Sequence, residues 1–67
     1  MRLYDILQWA TANGEVNVVA RIRLKILPLT VKEGIVLDRV KPETVVSESY
    51  LKAVREVVSE VVGKPCP

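Results

Sequence analysis

The segment from Val16 to Ile26 constrains the fold more than any other part of the chain, because its apolar residues recur at every second position. The apolar residues are Val16, Val18, Ala20, Ile22, Leu24 and Ile26, with Arg21, Arg23 and Lys25 among the residues between them. Such alternation is typical of a β-strand with one buried face and one solvent face. The sequence therefore predicts a strand about 36 Å long, at about 3.3 Å per residue, with a basic outer face.

The residues that follow this strand predict a hairpin. Gly34 lies within the segment Val31–Ile35 and suits the left-handed conformation that a tight turn requires. A second strand would then return from Ile35 to Val40, antiparallel to the first. Pro28 has no N–H to donate to a strand ladder and indicates an edge position, a bend or a bulge.

A continuous ladder would place the apolar residues of the hairpin tip on the same face as the arginines. Two arrangements resolve this conflict. A bulge near Pro28 would turn the tip back towards the core. Otherwise the tip presents a second apolar patch, a feature that usually marks an interface. We favour the bulge because bulges are common where a long strand curves.

Apolar residues at helical spacing predict one helix near each end of the chain. The first runs from about Leu3 to Ala12 and ends at Asn13-Gly14, with a stripe formed by Leu3, Ile6, Leu7 and Ala10. The second begins at Ser47, a good N-cap residue, and ends at Gly63. Its stripe is formed by Leu51, Val54, Val58 and Val61.

The predicted fold class is therefore α+β, with two helices packed on one face of a small antiparallel sheet. The predicted order is helix, long strand, second strand, a possible short third strand at Val45–Val46, and helix. Residues 1–63 would form a single domain, and residues 64–67 a flexible C-terminal tail. A chain of 67 residues without Phe has a small core, and oligomerisation commonly stabilises chains of this size.

The residue types argue against an enzyme. The chain has no His, and its one cysteine, Cys66, lies between two prolines. A cysteine nucleophile needs a neighbouring base, and Cys66 has no histidine to supply one. Asp38 and Glu43 could lie close together, but nothing in the pattern isolates them from water. We expect no catalytic residue, no metal site, no cofactor and no small-molecule substrate.

Composition also bears on location. No apolar run approaches 18 residues, so we expect no membrane-spanning segment. A single cysteine fits a reducing compartment, which predicts a cytoplasmic protein. The abundance of Val, Lys, Arg and Glu leans towards a thermophilic source.

The first functional hypothesis is a small interaction module without catalytic activity. It would form a homodimer through its long strand or through the Val-rich C-terminal helix. The residues expected at the interface include four apolar residues that the predicted core does not need: Val19, Leu27, Leu29 and Val36. Trp9 is the fifth, and it either covers the edge of the core or faces the partner.

The second hypothesis is a protein that contacts nucleic-acid phosphates through the basic face of the sheet. Arg21, Arg23 and Lys25 would stand about 7 Å apart along that face. The hairpin would bring Arg39 and Lys41 beside them. The net charge of +2 permits a nucleic-acid partner without requiring one.

Overall fold

The computed structural model describes residues 1–67, and all of its regular secondary structure is helical. Helix α1 spans Leu3–Asn13, α2 spans Val18–Lys25, α3 spans Leu27–Glu33 and α4 spans Glu48–Val62. A short 3-10 turn at Leu37–Arg39 lies between α3 and α4. There is no strand, so the predicted α+β fold and its antiparallel sheet are wrong.

The segment predicted as a long strand forms α2 and α3, because four residues at a spacing of four bury one helical face. These residues are Val18, Ile22, Ile26 and Thr30, each at most 4% exposed. All four positions are even-numbered, so the same residues fit both the period of two of a strand and the spacing of four along a helix. Val16 and Leu24, which a strand would bury, are 85% and 71% exposed.

The other predicted strand features are also corrected. Gly34 has the expected positive φ of 77°, but it ends α3, where its N–H donates to the carbonyls of Thr30 and Val31. Pro28 lies in the first turn of α3, where a missing N–H costs little, and forms no bulge. The predicted second strand, Ile35–Val40, contains the 3-10 turn, and the predicted third strand, Val45–Val46, is loop.

Both terminal helices are confirmed, with one difference at the end of α1. Ser47 caps α4 by accepting a hydrogen bond from the backbone N–H of Tyr50, and Gly63 ends the helix at φ 82°. The chain leaves α1 at Gly14, but its φ is −96°, outside the left-handed region. Asn17 instead takes the left-handed conformation, at φ 65°, just before α2.

The core lies where α1, α2 and α4 meet. Eleven apolar residues are buried there: Leu3, Ile6, Leu7, Ala10, Val18, Ile22, Ile26, Leu37, Tyr50, Val54 and Val58. Half-buried residues such as Val57 and Val61 pack around them. The apolar stripes predicted for α1 and α4 therefore do face the core, which they share with α2.

A chain of hydroxyl groups joins α3 to α4. The Thr30 hydroxyl donates to the carbonyl of Ile26 at 3.0 Å and lies 2.7 Å from the Tyr50 hydroxyl. Because the one Thr30 hydroxyl hydrogen is directed to Ile26, Tyr50 is the donor in the second bond. Burial raises the pKa of Tyr50, and the nearby negative charge of Glu33 raises it further. A hydrogen bond donated by Thr30 to the ionised phenolate would offset part of this rise.

The last residues turn back onto α4. The backbone N–H of Cys66 donates to Ser59 Oγ at 2.9 Å, and its side chain packs beside the core. Partial burial raises the pKa of the Cys66 thiol. No helix of the structure has both the length and the apolar character needed to cross a membrane.

We expect Gly14→Ala to destabilise the fold by about 1–3 kcal/mol through overpacking. A Cβ at Gly14 would lie 2.6 Å from Val18 Cγ2 and 2.8 Å from the Ala10 carbonyl oxygen. Nothing lies within 4 Å of a Cβ at Gly63, so Gly63→Asn, which tolerates positive φ, is the matched control. Thermal unfolding followed by circular dichroism measures both. Equal melting temperatures for the two variants would contradict this account of Gly14.

We expect Thr30→Val to destabilise the protein by about 1–3 kcal/mol, because it leaves the buried Tyr50 hydroxyl without an acceptor. Adding Tyr50→Phe to it should recover part of this loss, since no buried hydroxyl then lacks a partner. Denaturant unfolding of the wild type, the two single variants and the double variant gives the coupling energy between the two hydroxyls. Independent, additive effects would show that the hydroxyl chain does not form.

Wild-type stability should also fall above about pH 10, relative to Tyr50→Phe. The folded protein has the raised Tyr50 pKa, so the unfolded chain ionises first, and this ionisation lowers the free energy of the unfolded state as pH rises. Below that pH both states keep the phenol neutral and the difference is constant. Unfolding free energies at pH 8 and above, compared between the two proteins, test the sign.

Candidate interaction surface

Helices α2 and α3 carry a second apolar face that points away from the core. Leu24, Leu27, Pro28 and Val31 stand at i, i+3, i+4 and i+7, the spacing of one helical stripe. All four are exposed, Leu24 by 71% and Val31 by 70%. We call these four residues the apolar stripe.

The apolar stripe is continuous because the two helices are nearly one. The Ile26 N–H donates to the Ile22 carbonyl, and the Thr30 N–H donates to the Ile26 carbonyl. The series of helical hydrogen bonds therefore continues across the junction between α2 and α3, although Ile26 departs from helical geometry at φ −114° and ψ 16°. The buried series that ends at Thr30 keeps its phase through the bend. At about 100° per residue, the apolar stripe lies opposite that buried series.

The five residues predicted at an oligomer interface are divided between core and surface. Trp9 and Val19 are half-buried and pack against the core. Leu27, Leu29 and Val36 are exposed by 43%, 46% and 54%. Of these, Leu27 belongs to the apolar stripe. Leu24 and Val31 were missed, because the strand prediction placed Leu24 in the core and Val31 in a turn. A search at helical period would have found them.

Leu29 lies on the other side of α3, beside a depression of about 240 Å³. Glu33 stands at its edge and joins α3 to the start of α4. Its carboxylate accepts from the backbone N–H of Ser47 at 2.8 Å and from the Ser47 hydroxyl at 3.0 Å. A carboxylate at this place satisfies free N–H groups and suits the positive end of α4. The depression is therefore built around a helix cap.

The five residues predicted to bind nucleic acid do not form the strip expected on a strand. Arg21 and Lys25 share one side of α2, but Arg23, two residues away on a helix, turns to another side. There Arg23 pairs with Asp38 at 3.1 Å. Arg39 ends the 3-10 turn and Lys41 lies in the following loop, both exposed.

The helix instead places Arg21 and Lys25 in line with Lys32, which a strand would not group with them. Their spacing of i, i+4 and i+11 aligns them along one border of the apolar stripe. All three are exposed, and no acidic residue occurs between Asn17 and Lys32. We call these three residues the basic row. Lys25 Nζ lies 2.7 Å from Glu60 of α4, and this hydrogen bond lowers the pKa of the Glu60 carboxyl.

The side chains that could support chemistry are dispersed. Asp38 is paired with Arg23, and no group of three or more His, Cys, Asp or Glu side chains could hold a metal ion. Cys66 is a free thiol beside α4, and its raised pKa reduces the thiolate fraction. Comparison with protein-family models, with curated proteins and with solved structures gives no match. The exposed residues that do group together, the apolar stripe and the basic row, lie on α2 and α3.

We expect Glu33→Ala to destabilise the protein by about 1 kcal/mol, the usual cost of losing a helix cap. Glu33→Gln should lose less, because its amide oxygen can still accept a hydrogen bond from the Ser47 N–H. Glu43→Ala, which removes an exposed carboxylate from a loop, is the matched control. Chemical denaturation measures all three, and equal losses for Glu33→Ala and Glu43→Ala would contradict the capping role.

Proposed function

We propose that this protein is a non-catalytic interaction module that forms a homodimer by packing the apolar stripes of two copies against each other. The exposed apolar stripe is the observation that carries the proposal. It is a short, uncharged patch whose spacing matches that of helix–helix contacts. Such a patch is complementary to itself, which is what a two-fold dimer requires. The cytoplasmic location expected from the single cysteine is part of the same proposal.

The small core supports association. Only 12 of the 67 residues are buried, and chains of this size often gain stability by burying apolar surface between copies. Helix α3 shows the imbalance most clearly. Its one buried residue is Thr30, while Leu27, Leu29 and Val31 are exposed. In a monomer these apolar residues face water, whereas a dimer would bury them between its two copies.

The size of the apolar stripe indicates a weak dimer. Burying what remains exposed of Leu24, Leu27 and Val31 in both copies gains on the order of 8 kcal/mol. Association costs at least about 4 kcal/mol in lost freedom. The difference corresponds to a dissociation constant near 1 mM. Contacts outside the apolar stripe would lower this constant. We therefore expect dimers at concentrations of hundreds of micromolar.

The test is the mass in solution as a function of concentration. Sedimentation or light scattering should show the average mass of the 7.5 kDa chain rising with concentration, to about one and a half times the monomer mass near 1 mM. Leu24→Lys and Val31→Lys should remain monomeric, because each buries a charge in the contact. Both positions are exposed, so the variants should melt as the wild type does.

Two exposed valines outside the apolar stripe provide the control. Val16 is 85% exposed and Val45 is 89% exposed. Val16→Lys and Val45→Lys make the same chemical change and should dimerise as the wild type does. A wild-type protein that is monomeric at the highest concentration would refute the proposal. Dimerisation unaffected by Leu24→Lys and Val31→Lys would place the contact elsewhere.

A further inference from the structure

The basic row lies beside the proposed dimer contact, about 90° around the helix from the centre of the apolar stripe. Its members are exposed. At that angle they border the proposed contact rather than lie at its centre. What the dimer does with this charge depends on how the two copies are oriented. A parallel pair of helices would turn the two basic rows to opposite faces. An antiparallel pair related by a two-fold axis would bring both rows to one face.

The antiparallel arrangement is favoured by the helix dipoles, which then oppose one another. The two basic rows would stand about one interaxial distance apart, roughly 8–10 Å. That distance is close to the screening length at physiological salt. Repulsion between the rows is therefore modest, and six cations share a single face. Such a concentration of charge is a binding surface for a polyanion.

We propose that this shared face binds the phosphate backbone of duplex nucleic acid, an inference that depends on the dimer proposed above. Along the helix Arg21 and Lys25 are about 6 Å apart, and Lys25 and Lys32 about 10 Å. Phosphates on one strand of DNA advance about 3.4 Å each along the axis. The basic row therefore meets about every second or third phosphate.

An anionic membrane fits the same charge but not the same face. Membrane-binding helices insert apolar residues next to their cations. In the dimer the apolar stripe is occupied by the second copy, so the basic face has no apolar side chains to insert. Phosphate contacts of this kind carry no base information, so binding should be insensitive to sequence.

Glu60 limits the charge available to a ligand. Its carboxylate holds Lys25 at 2.7 Å, and both side chains are exposed to solvent. An exposed ion pair is weak, so a phosphate can displace Glu60, but it must do so at each Lys25. Removing the carboxylate should therefore strengthen binding, a result that a merely solvated lysine would not give.

The experiment is a fluorescence anisotropy titration of a labelled mixed-sequence DNA duplex of about 20 base pairs at several salt concentrations. Arg21→Glu with Lys32→Glu should weaken binding at least tenfold and reduce the salt slope by about two thirds, since four of six phosphate contacts are lost. Arg39→Glu with Lys41→Glu changes the net charge equally and should leave binding within about threefold of wild type. Glu60→Gln should tighten binding severalfold.

Light scattering with and without the duplex separates this inference from the proposed dimer. The double variant Leu24→Gln with Val31→Gln removes the dimer contact without changing the charge, and it should bind the duplex more weakly than the wild type does. Addition of the duplex should promote dimerisation of the wild type. A concentration-dependent dimer that binds no duplex would refute the inference and leave the dimer intact. Equal loss in both charge-reversal pairs, or binding to anionic vesicles but not to DNA, would also refute it. Duplex binding by a protein that stays monomeric would refute the shared face together with the dimer.

Discussion

The contact between the buried series of α2–α3 and the valines of α4 determines the rest of the structure. Ile22, Val54 and Val58 are completely buried there. Once this contact forms, the phase of α2 and α3 is fixed, and so is every residue on their outer side. The apolar stripe and the basic row are consequences of that phase. The buried hydroxyls of Thr30 and Tyr50, 2.7 Å apart, join α3 to α4.

The sequence predicts the two terminal helices well because their signals agree. In α4 an N-cap serine, apolar residues at helical spacing and a terminal glycine all indicate one helix. The middle of the chain carries conflicting signals. Alternation at positions 16–26 contains a series of period four, and the β-branched valines and isoleucines suit strands. Tertiary packing against α4 favours the helix over the strand, and this packing cannot be read from a local pattern of residues.

The candidate surface was predicted in part. Exposure of Leu27, Leu29 and Val36 follows from an excess of apolar residues over the space in a small core. The grouping of residues could not be predicted, since it depends on the period. On a strand Arg21, Arg23 and Lys25 share a face, whereas on a helix Arg23 separates from the others and Lys32 joins them. The wrong period therefore grouped the charged residues with the wrong neighbours.

The double period of residues 16–26 also has a consequence for synthesis and folding. Helix α4 leaves the ribosome after α2 and α3, so their buried face is without its partner while the chain is being made. During that interval the alternating pattern suits pairing with another nascent strand as well as it suits a helix. Early docking of α4 is then a kinetic safeguard against aggregation. Pro28, which cannot donate within a strand ladder, lies just after this segment and limits its extension into a longer strand.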